Sequence, residues 1–144
     1  VIGSHQIPVA CDISEKALVL DEKVEAIVLP GGMPGTLNLE KSPVVQKTID
    51  WAIENDKLVC AICAAPSILG HKGLLEGKNA TCFPGFEEEL FGANVSKEFV
   101  VKDGNIITAK GMGSAIEFGL QIAQILTNPL EVKKIRASLQ IYNG

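Results

Sequence analysis

The residues best suited to chemistry lie in the run Leu58-Val59-Cys60-Ala61-Ile62-Cys63-Ala64-Ala65-Pro66-Ser67. An apolar, partly β-branched stretch stops at Cys63, and small residues carry the chain directly into a helical pattern. This order predicts a strand-to-helix turn of the nucleophile-elbow kind, with sulfur in place of a serine oxygen. A thiol in the first turn of a helix sits in the positive end of the helix dipole, which favours thiolate and lowers its pKa. Free cysteine more often packs as a small hydrophobe. Here, however, Ala64 and Ala65 leave room around the sulfur, and Pro66 suits a first helical turn. The preceding strand is apolar enough to be buried on both faces. Cys63 is the candidate nucleophile.

The remaining titratable groups offer less. The chain has four cysteines and two histidines. Cys60 and Cys63 form a C-A-I-C pair, but a redox CxxC places both sulfurs at a helix start. Cys60 falls inside the strand and is expected in the core. Cys11 and Cys82 suggest neither a disulfide framework nor a zinc knuckle. His5 and His71 are not at ligand spacing to the pair, so neither a metal nor another cofactor is expected. His71, at the end of the elbow helix, is expected to meet that helix's carbonyl end. With no histidine placed by a motif beside the sulfur, a hydrolase or amidotransferase reading lacks a base. No phosphate-cradling glycine loop is present either.

The elements that must position Cys63 alternate strand and helix, the pattern of a parallel sheet covered on both faces. Ile7 to Ala10 is a short strand candidate. Glu25 to Leu29 is a stronger one, ended by Pro30-Gly31-Gly32. Ser42-Pro43 reads as N-cap and first helical residue, and Val45, Ile49, Ala52 and Ile53 form one apolar stripe. Lys57 to Ile62 is the strand that delivers Cys63, with a helix to about Gly70. Asn79 to Phe83 is a further strand candidate, closed by Pro84-Gly85. Glu87-Glu88-Glu89 reads as the solvated first turn of a short helix. Phe99–Lys102 and Asn105–Ala109 flank Asp103-Gly104, a hairpin signal. Gly113 to Leu126 reads as a helix apolar almost all round, buried between layers or at a subunit interface.

Composition bounds the rest. The 144 residues are 47% hydrophobic and 21% charged, with net charge −4. No basic cluster invites nucleic acid or an anionic membrane. No apolar run approaches the roughly 20 residues that span a bilayer, and no secretory signal opens the chain. The default expectation is a cytoplasmic protein with one domain over residues 1–144. The chain opens V-I-G-S-H-Q without a first β-α unit, so roughly 30–50 residues, the size of such an element, are expected to precede residue 1.

Taken in order, L-P-G-G (Leu29–Gly32), A-I-C-A-A-P (Ala61–Pro66), T-C-F-P (Thr81–Pro84) and K-G-M-G-S-A-I-E-F-G-L (Lys110–Leu120) resemble the DJ-1/ThiJ/PfpI superfamily, in its ThiJ-type branch. The ending Ile141-Tyr142-Asn143 resembles that of bacterial members. The resemblance runs over nearly the whole chain. It implies a flavodoxin-like, doubly wound α/β fold, a homodimer and a reactive elbow cysteine, here Cys63. It also implies that the backbone N–H groups of Gly32 and Ala64 face an anionic site beside the sulfur. Two converging amides can hold a thiolate, an oxyanion or a sulfinate.

Departures from the family pattern matter equally. The family's acidic partner of the cysteine, a glutamate, lies in the first β-α unit, so no residue here matches it. Phe83 stands where some relatives have a histidine near the thiol. Ala64 stands where the protease-like branch has a histidine, which ranks proteolysis low. His5 matches a position near the active-site entrance.

The resemblance implies a cofactor-free glyoxalase or deglycase, acting on methylglyoxal, glyoxal or their early glycation adducts. Cys63 would add to the aldehyde carbon, and the Gly32 and Ala64 amides would hold the resulting oxyanion. The alternative is an oxidation-sensing stress-response or chaperone-like protein that uses the same accessible thiol.

Overall fold

A computed structural model describes residues 1–3 and 5–141. Tyr142 and Asn143, the last part of the terminal resemblance, lie outside the described residues.

Three parallel strands form the centre: β1 (Ala26–Leu29), β2 (Leu58–Ile62) and β6 (Ile106–Ala109). A fourth strand, β5 (Val100–Asp103), runs antiparallel on β6, giving the order β1-β2-β6-β5. β2 has a neighbour on each side and a layer on each face, which is why an unbroken apolar run suits it. Its side chains still alternate. Val59 and Ala61 join a core with Leu29, Ile49, Ala52, Ile68 and Leu69, whereas Leu58 and Cys60 join Ile107, Ala109 and Phe118 on the opposite face.

Helices close both faces. α1 (Gly35–Lys41) leads into α2 (Pro43–Glu54), where Ser42 Oγ accepts from the Val45 N–H and Pro43 takes the first helical position, as its lack of an N–H allows. Ile49 and Ala52 are fully buried, and Val45 and Ile53 pack against the same core, so the expected stripe faces the sheet. α3 (Pro66–His71) lies on that side too, through Ile68 and Leu69. α4 (Ala115–Leu126) covers the other face through Phe118, with Ile122 packed beside it. α5 (Pro129–Ser138) is capped by Asn128 and tied to α4 by a two-pronged Arg136–Glu117 pair at 2.6 and 2.9 Å. The alternating pattern implies this mostly parallel α/β sheet, and its flavodoxin-like form is the one the family resemblance implies. Among the described residues, no helix is long and apolar enough to cross a membrane.

Local expectations give way in several places. Ile7–Ala10 is not a sheet strand: it takes part only in an isolated bridge between Ile2 and Pro8 and is exposed, having no layer to pack against. Asn79–Phe83 shortens to β3 (Asn79–Ala80), which pairs parallel with β4 (Asn94–Val95) in a separate small sheet. Beyond Ala80 the chain bonds to side chains and loops, such as the Thr81 N–H to Thr108 Oγ1 at 2.9 Å. The hairpin loop is Gly104-Asn105, because Asp103 pairs with Ile106. Asp103 stays in the ladder and accepts from the Asn79 N–H and side-chain amide, while Gly104 supplies the positive φ of 59°. The Gly113–Leu126 pattern splits into a 3-10 turn (Met112–Ser114) followed by α4, and only Phe118 and Leu120 of that helix are buried.

Candidate functional site

β1, β2 and β6 all end at the same edge of the sheet, so their C-terminal loops meet there: Pro30-Gly31-Gly32, Cys63-Ala64-Ala65 and Lys110-Gly111-Met112. Ligand sites in open α/β sheets belong outside the carboxyl ends of the strands. Cys63 continues the ladder by one more bond, its N–H donating to Ala109 O at 2.9 Å. It then turns at φ 66°, a left-handed conformation that costs a residue with a Cβ roughly 1–2 kcal/mol. The turn is clamped as Ala65 N–H donates to Ile62 O and Ser67 Oγ donates to Ala64 O, and Pro66 then begins α3. A strained cysteine on a fixed strand-to-helix turn is the elbow read from the sequence.

The neighbouring loops are shaped to this turn. A Cβ on Gly31 would stand 2.6 Å from Cys63 Cβ and 2.6 Å from Ile62 O, so only glycine allows the two loops to approach so closely. Gly32 turns at φ 91°, and its carbonyl accepts both the N–H and the hydroxyl of Thr36, in the first turn of α1. A cis Met33–Pro34 bond lies between them. On the other side, the Phe83 N–H donates to Cys63 O at 2.8 Å. The Phe83 ring rests on Gly111, where an added Cβ would lie 3.1 Å from it.

These loops enclose an open cleft of about 690 Å³ lined by Cys63, Gly32, Ala64, His5 and Phe83. All five residues singled out in the sequence therefore meet at one place. Gly31, Met33, Phe86 and Met112 also line it. Of these, Gly31 left a sequence signal as the first glycine of the turn, and Met112 lies in the Lys110–Leu120 motif without being singled out; Met33 and Phe86 contribute apolar wall that no motif marks. Neither the Gly32 nor the Ala64 N–H donates a hydrogen bond among the described residues. No acidic side chain lines the cleft among the described residues. Nor is any group of three or more His, Cys, Asp or Glu side chains gathered to hold a metal ion.

The other cysteines differ in setting. Cys60 is fully buried between layers, and burial pushes its thiol up to about 12. Cys82 is buried as well; burial first, then the charge of Glu87, lifts it to about 11. Cys11 is exposed and Cys63 is half-buried. His71 does not meet helix carbonyls, as the sequence suggests. Its two ring nitrogens instead lie 2.5 Å from Glu40 Oε1 and 2.8 Å from Glu89 Oε2, and its ring rests beside Phe91. Partial burial opposes the imidazolium, but the hydrogen bonds and charges of Glu40 and Glu89 outweigh it and raise the pKa. Carboxylates win over carbonyls because a full charge attracts more strongly than a helix end.

A flavodoxin-like sheet, a strained elbow cysteine and a glycine turn folded against it define the class, and residues 1–125 match the DJ-1/PfpI family model. The chain belongs to the DJ-1/PfpI family. It is 36% identical over 130 residues to Protein dj-1beta of Drosophila melanogaster, covering 88% of this chain and 70% of that one. The crystal structure of that fly protein superposes with a TM-score of 0.88 at 32% identity, covering 97% of this chain and 76% of that chain. Glutathione-independent glyoxalase DJR-1.2 of Caenorhabditis elegans is 31% identical over 137 residues, covering 88% of this chain and 72% of that one. Protein DJ-1 homolog B of Arabidopsis thaliana is 37% identical over 110 residues; the match takes in 75% of this chain but spans only 25% of the plant protein.

Proposed function

We propose that this protein is a cofactor-free glyoxalase or deglycase with Cys63 as its nucleophile. The observation that carries the reading is the strained Cys63 in a cleft also lined by Gly32 and Ala64, whose N–H groups donate no hydrogen bond among the described residues. The family includes a relative named as a glutathione-independent glyoxalase, which supports the same chemistry.

In this reading the sulfur adds to the aldehyde carbon of an α-oxoaldehyde, forming a C–S bond while the carbonyl oxygen takes the negative charge. The Gly32 and Ala64 N–H groups hold that oxygen; one such donor contributes on the order of 10²–10³ in rate. A proton then leaves the former aldehyde carbon and returns to the neighbouring one, so the first carbon is oxidised as the second is reduced. Water cleaves the resulting thioester, restoring the thiol and releasing a 2-hydroxy acid. The sum is aldehyde plus one water, with no external oxidant. The proton shift belongs to a carboxylic acid of the kind the family resemblance implies, since no acidic side chain of the described cleft wall can perform it.

The test is methylglyoxal consumption and lactate formation by the native full-length chain, wild type against Cys63→Ala. Turnover that disappears with the thiol is the expected result. Turnover that survives in Cys63→Ala refutes the mechanism. No turnover in either transfers the site to the oxidation-sensing reading, in which mild peroxide adds two oxygens to the Cys63 peptide before any other cysteine.

A further inference from the structure

His71 stands where three elements meet, and each of them starts from a loop that holds or lines the Cys63 site. α3 follows Cys63-Ala64-Ala65 and ends at His71. α1 follows the Gly31-Gly32 turn and carries Glu40 near its end. A 3-10 turn, Glu87–Glu89, follows the Phe83–Phe86 loop and ends in Glu89. The two ring nitrogens of His71 face one carboxylate from each of the other two elements, Glu40 at 2.5 Å and Glu89 at 2.8 Å. The backbones are in contact as well: a Cβ on Gly70 would lie 2.1 Å from Glu89 O, so α3 rests directly on the turn.

Three backbone hydrogen bonds lead from this clamp back to the nucleophile. Glu89 N–H donates to Phe86 O at 3.1 Å, Phe86 N–H to Phe83 O at 3.1 Å, and Phe83 N–H to Cys63 O at 2.8 Å. With α3 as the return path they form a circuit from Cys63 through His71, Glu89, Phe86 and Phe83 to Cys63 again, and the His71–Glu89 pair closes it.

That closing pair depends on a proton. A neutral imidazole donates from one nitrogen and presents a lone pair at the other, so only the imidazolium satisfies both carboxylates. In the neutral form one carboxylate must leave, and a three-residue 3-10 turn yields before the seven-residue α1. Partial burial opposes the imidazolium, but the hydrogen bonds and charges of Glu40 and Glu89 outweigh it. Neighbouring charges are engaged elsewhere. Lys72 pairs with Asp50 of α2 at 2.8 Å, and Glu87 accepts from the Gly85 N–H at 2.6 Å. The Phe91 ring, 5.0 Å away between centroids, covers another side.

Resting on the choice of Cys63 as nucleophile above, we propose that His71 is a positioning residue for Cys63: its protonated form holds the Phe83 backbone on the nucleophile, and its deprotonation loosens that seat and lowers turnover. The two-state element is the imidazole between its carboxylates, and the circuit carries its state to the cleft.

The measurements use the full-length chain. The His71 ring titration is followed by NMR between about pH 6 and about pH 9, its resonance assigned by its loss in His71→Arg. Arginine keeps a charged fork toward both carboxylates throughout this range; should that variant fold poorly, His71→Lys keeps the charge. Amide exchange at Phe83 then reads the circuit without turnover. The wild-type rate divided by that of His71→Arg should rise about two- to fivefold as pH passes the measured His71 value, the scale on which a partly exposed ion pair shifts an equilibrium. In Glu89→Gln, whose amide pairs with either form of the ring, the rise should vanish. A wild-type ratio that is constant with pH is what a merely structural histidine gives, and it overturns the proposal.

The same ratio taken on kcat/KM for methylglyoxal should fall by about two- to fivefold over the same pH interval. A kcat/KM ratio that stays flat while Phe83 exchange follows His71 overturns the positioning role. Phe83 exchange that follows His71, with no methylglyoxal turnover in any variant, overturns the glyoxalase reading instead, and the control of the Cys63 turn by His71 stands.

Discussion

Replacing Gly31 with alanine tests the geometry of the site most directly. The new methyl carbon would begin 2.6 Å from Cys63 Cβ, 2.6 Å from Ile62 O and 3.0 Å from Ala64 N. All three are backbone atoms or are fixed to the backbone, so no side-chain rotation relieves the clash. Restoring carbon–carbon contact to about 3.6 Å requires the two loops to part by roughly 1 Å. Overpacking of this kind costs about 1–3 kcal/mol. Against a typical reserve of about 5–15 kcal/mol the variant still folds, with its midpoint lowered by several degrees. The larger effect is local. A displacement of about 1 Å between a nucleophile and the donors facing it costs on the order of 10² in rate. Gly35, four residues along at the start of α1, has no atom within 4 Å of its would-be Cβ, so Gly35→Ala is the control from the same loop. Thermal unfolding and turnover of an α-oxoaldehyde, measured on both variants, give the answer. Gly31→Ala should fall by about two orders in kcat/KM, more than its stability loss explains, with Gly35→Ala near wild type. Wild-type turnover and an unchanged midpoint in Gly31→Ala would refute the close approach of the two loops.

Two further predictions concern the ionisable groups. Glu40 and Glu89 raise the pKa of His71, so the clamp's contribution is fully present below the unfolded value of 6.5 and is lost as pH rises through the higher folded value. The midpoint gap between wild type and His71→Phe should therefore be widest near pH 6, at about 2–4 °C for this partly exposed group, and narrow by about pH 9. A gap that widens with pH contradicts the assignment. Cys60 and Cys82, lifted to about 12 and about 11, should stay unlabelled by a thiol reagent at neutral pH in the folded protein and react only on unfolding. Peptide-level mass analysis that finds either one labelled as fast as Cys63 rules this out.

Much of this architecture is legible in single residues. Leu58–Ile62 reads as a buried strand because every side chain of a central parallel strand faces a core. Cys63 reads as an elbow because an apolar run meets Ala64, Ala65 and Pro66 with no room for a longer loop. Ser42-Pro43 marks a helix start through local capping chemistry, which needs no tertiary partner. These signals are local, so they survive in the sequence.

What depended on distant partners did not survive. Among the described residues the Ile7–Ala10 segment pairs only with residues 1–3, through one isolated bridge, and joins neither sheet, so local propensity alone misled. Asp103 is held in β5 rather than in the turn by Asn79, 24 positions away in the chain. His71 is claimed by Glu40 and Glu89, which come from two other elements.

The sequence by itself determined that a cysteine would stand on a turn at the end of a buried strand, because strand, turn and helix are written in consecutive residues. Only the tertiary structure decided what faces that cysteine. Gly31 against Cys63 Cβ, the Phe83 N–H on Cys63 O and the apolar wall of Met33, Phe86 and Met112 arise where loops from separate strands converge. The physical reason is that contact across loops depends on how the strands are ordered and registered in the sheet, which no short stretch of residues records.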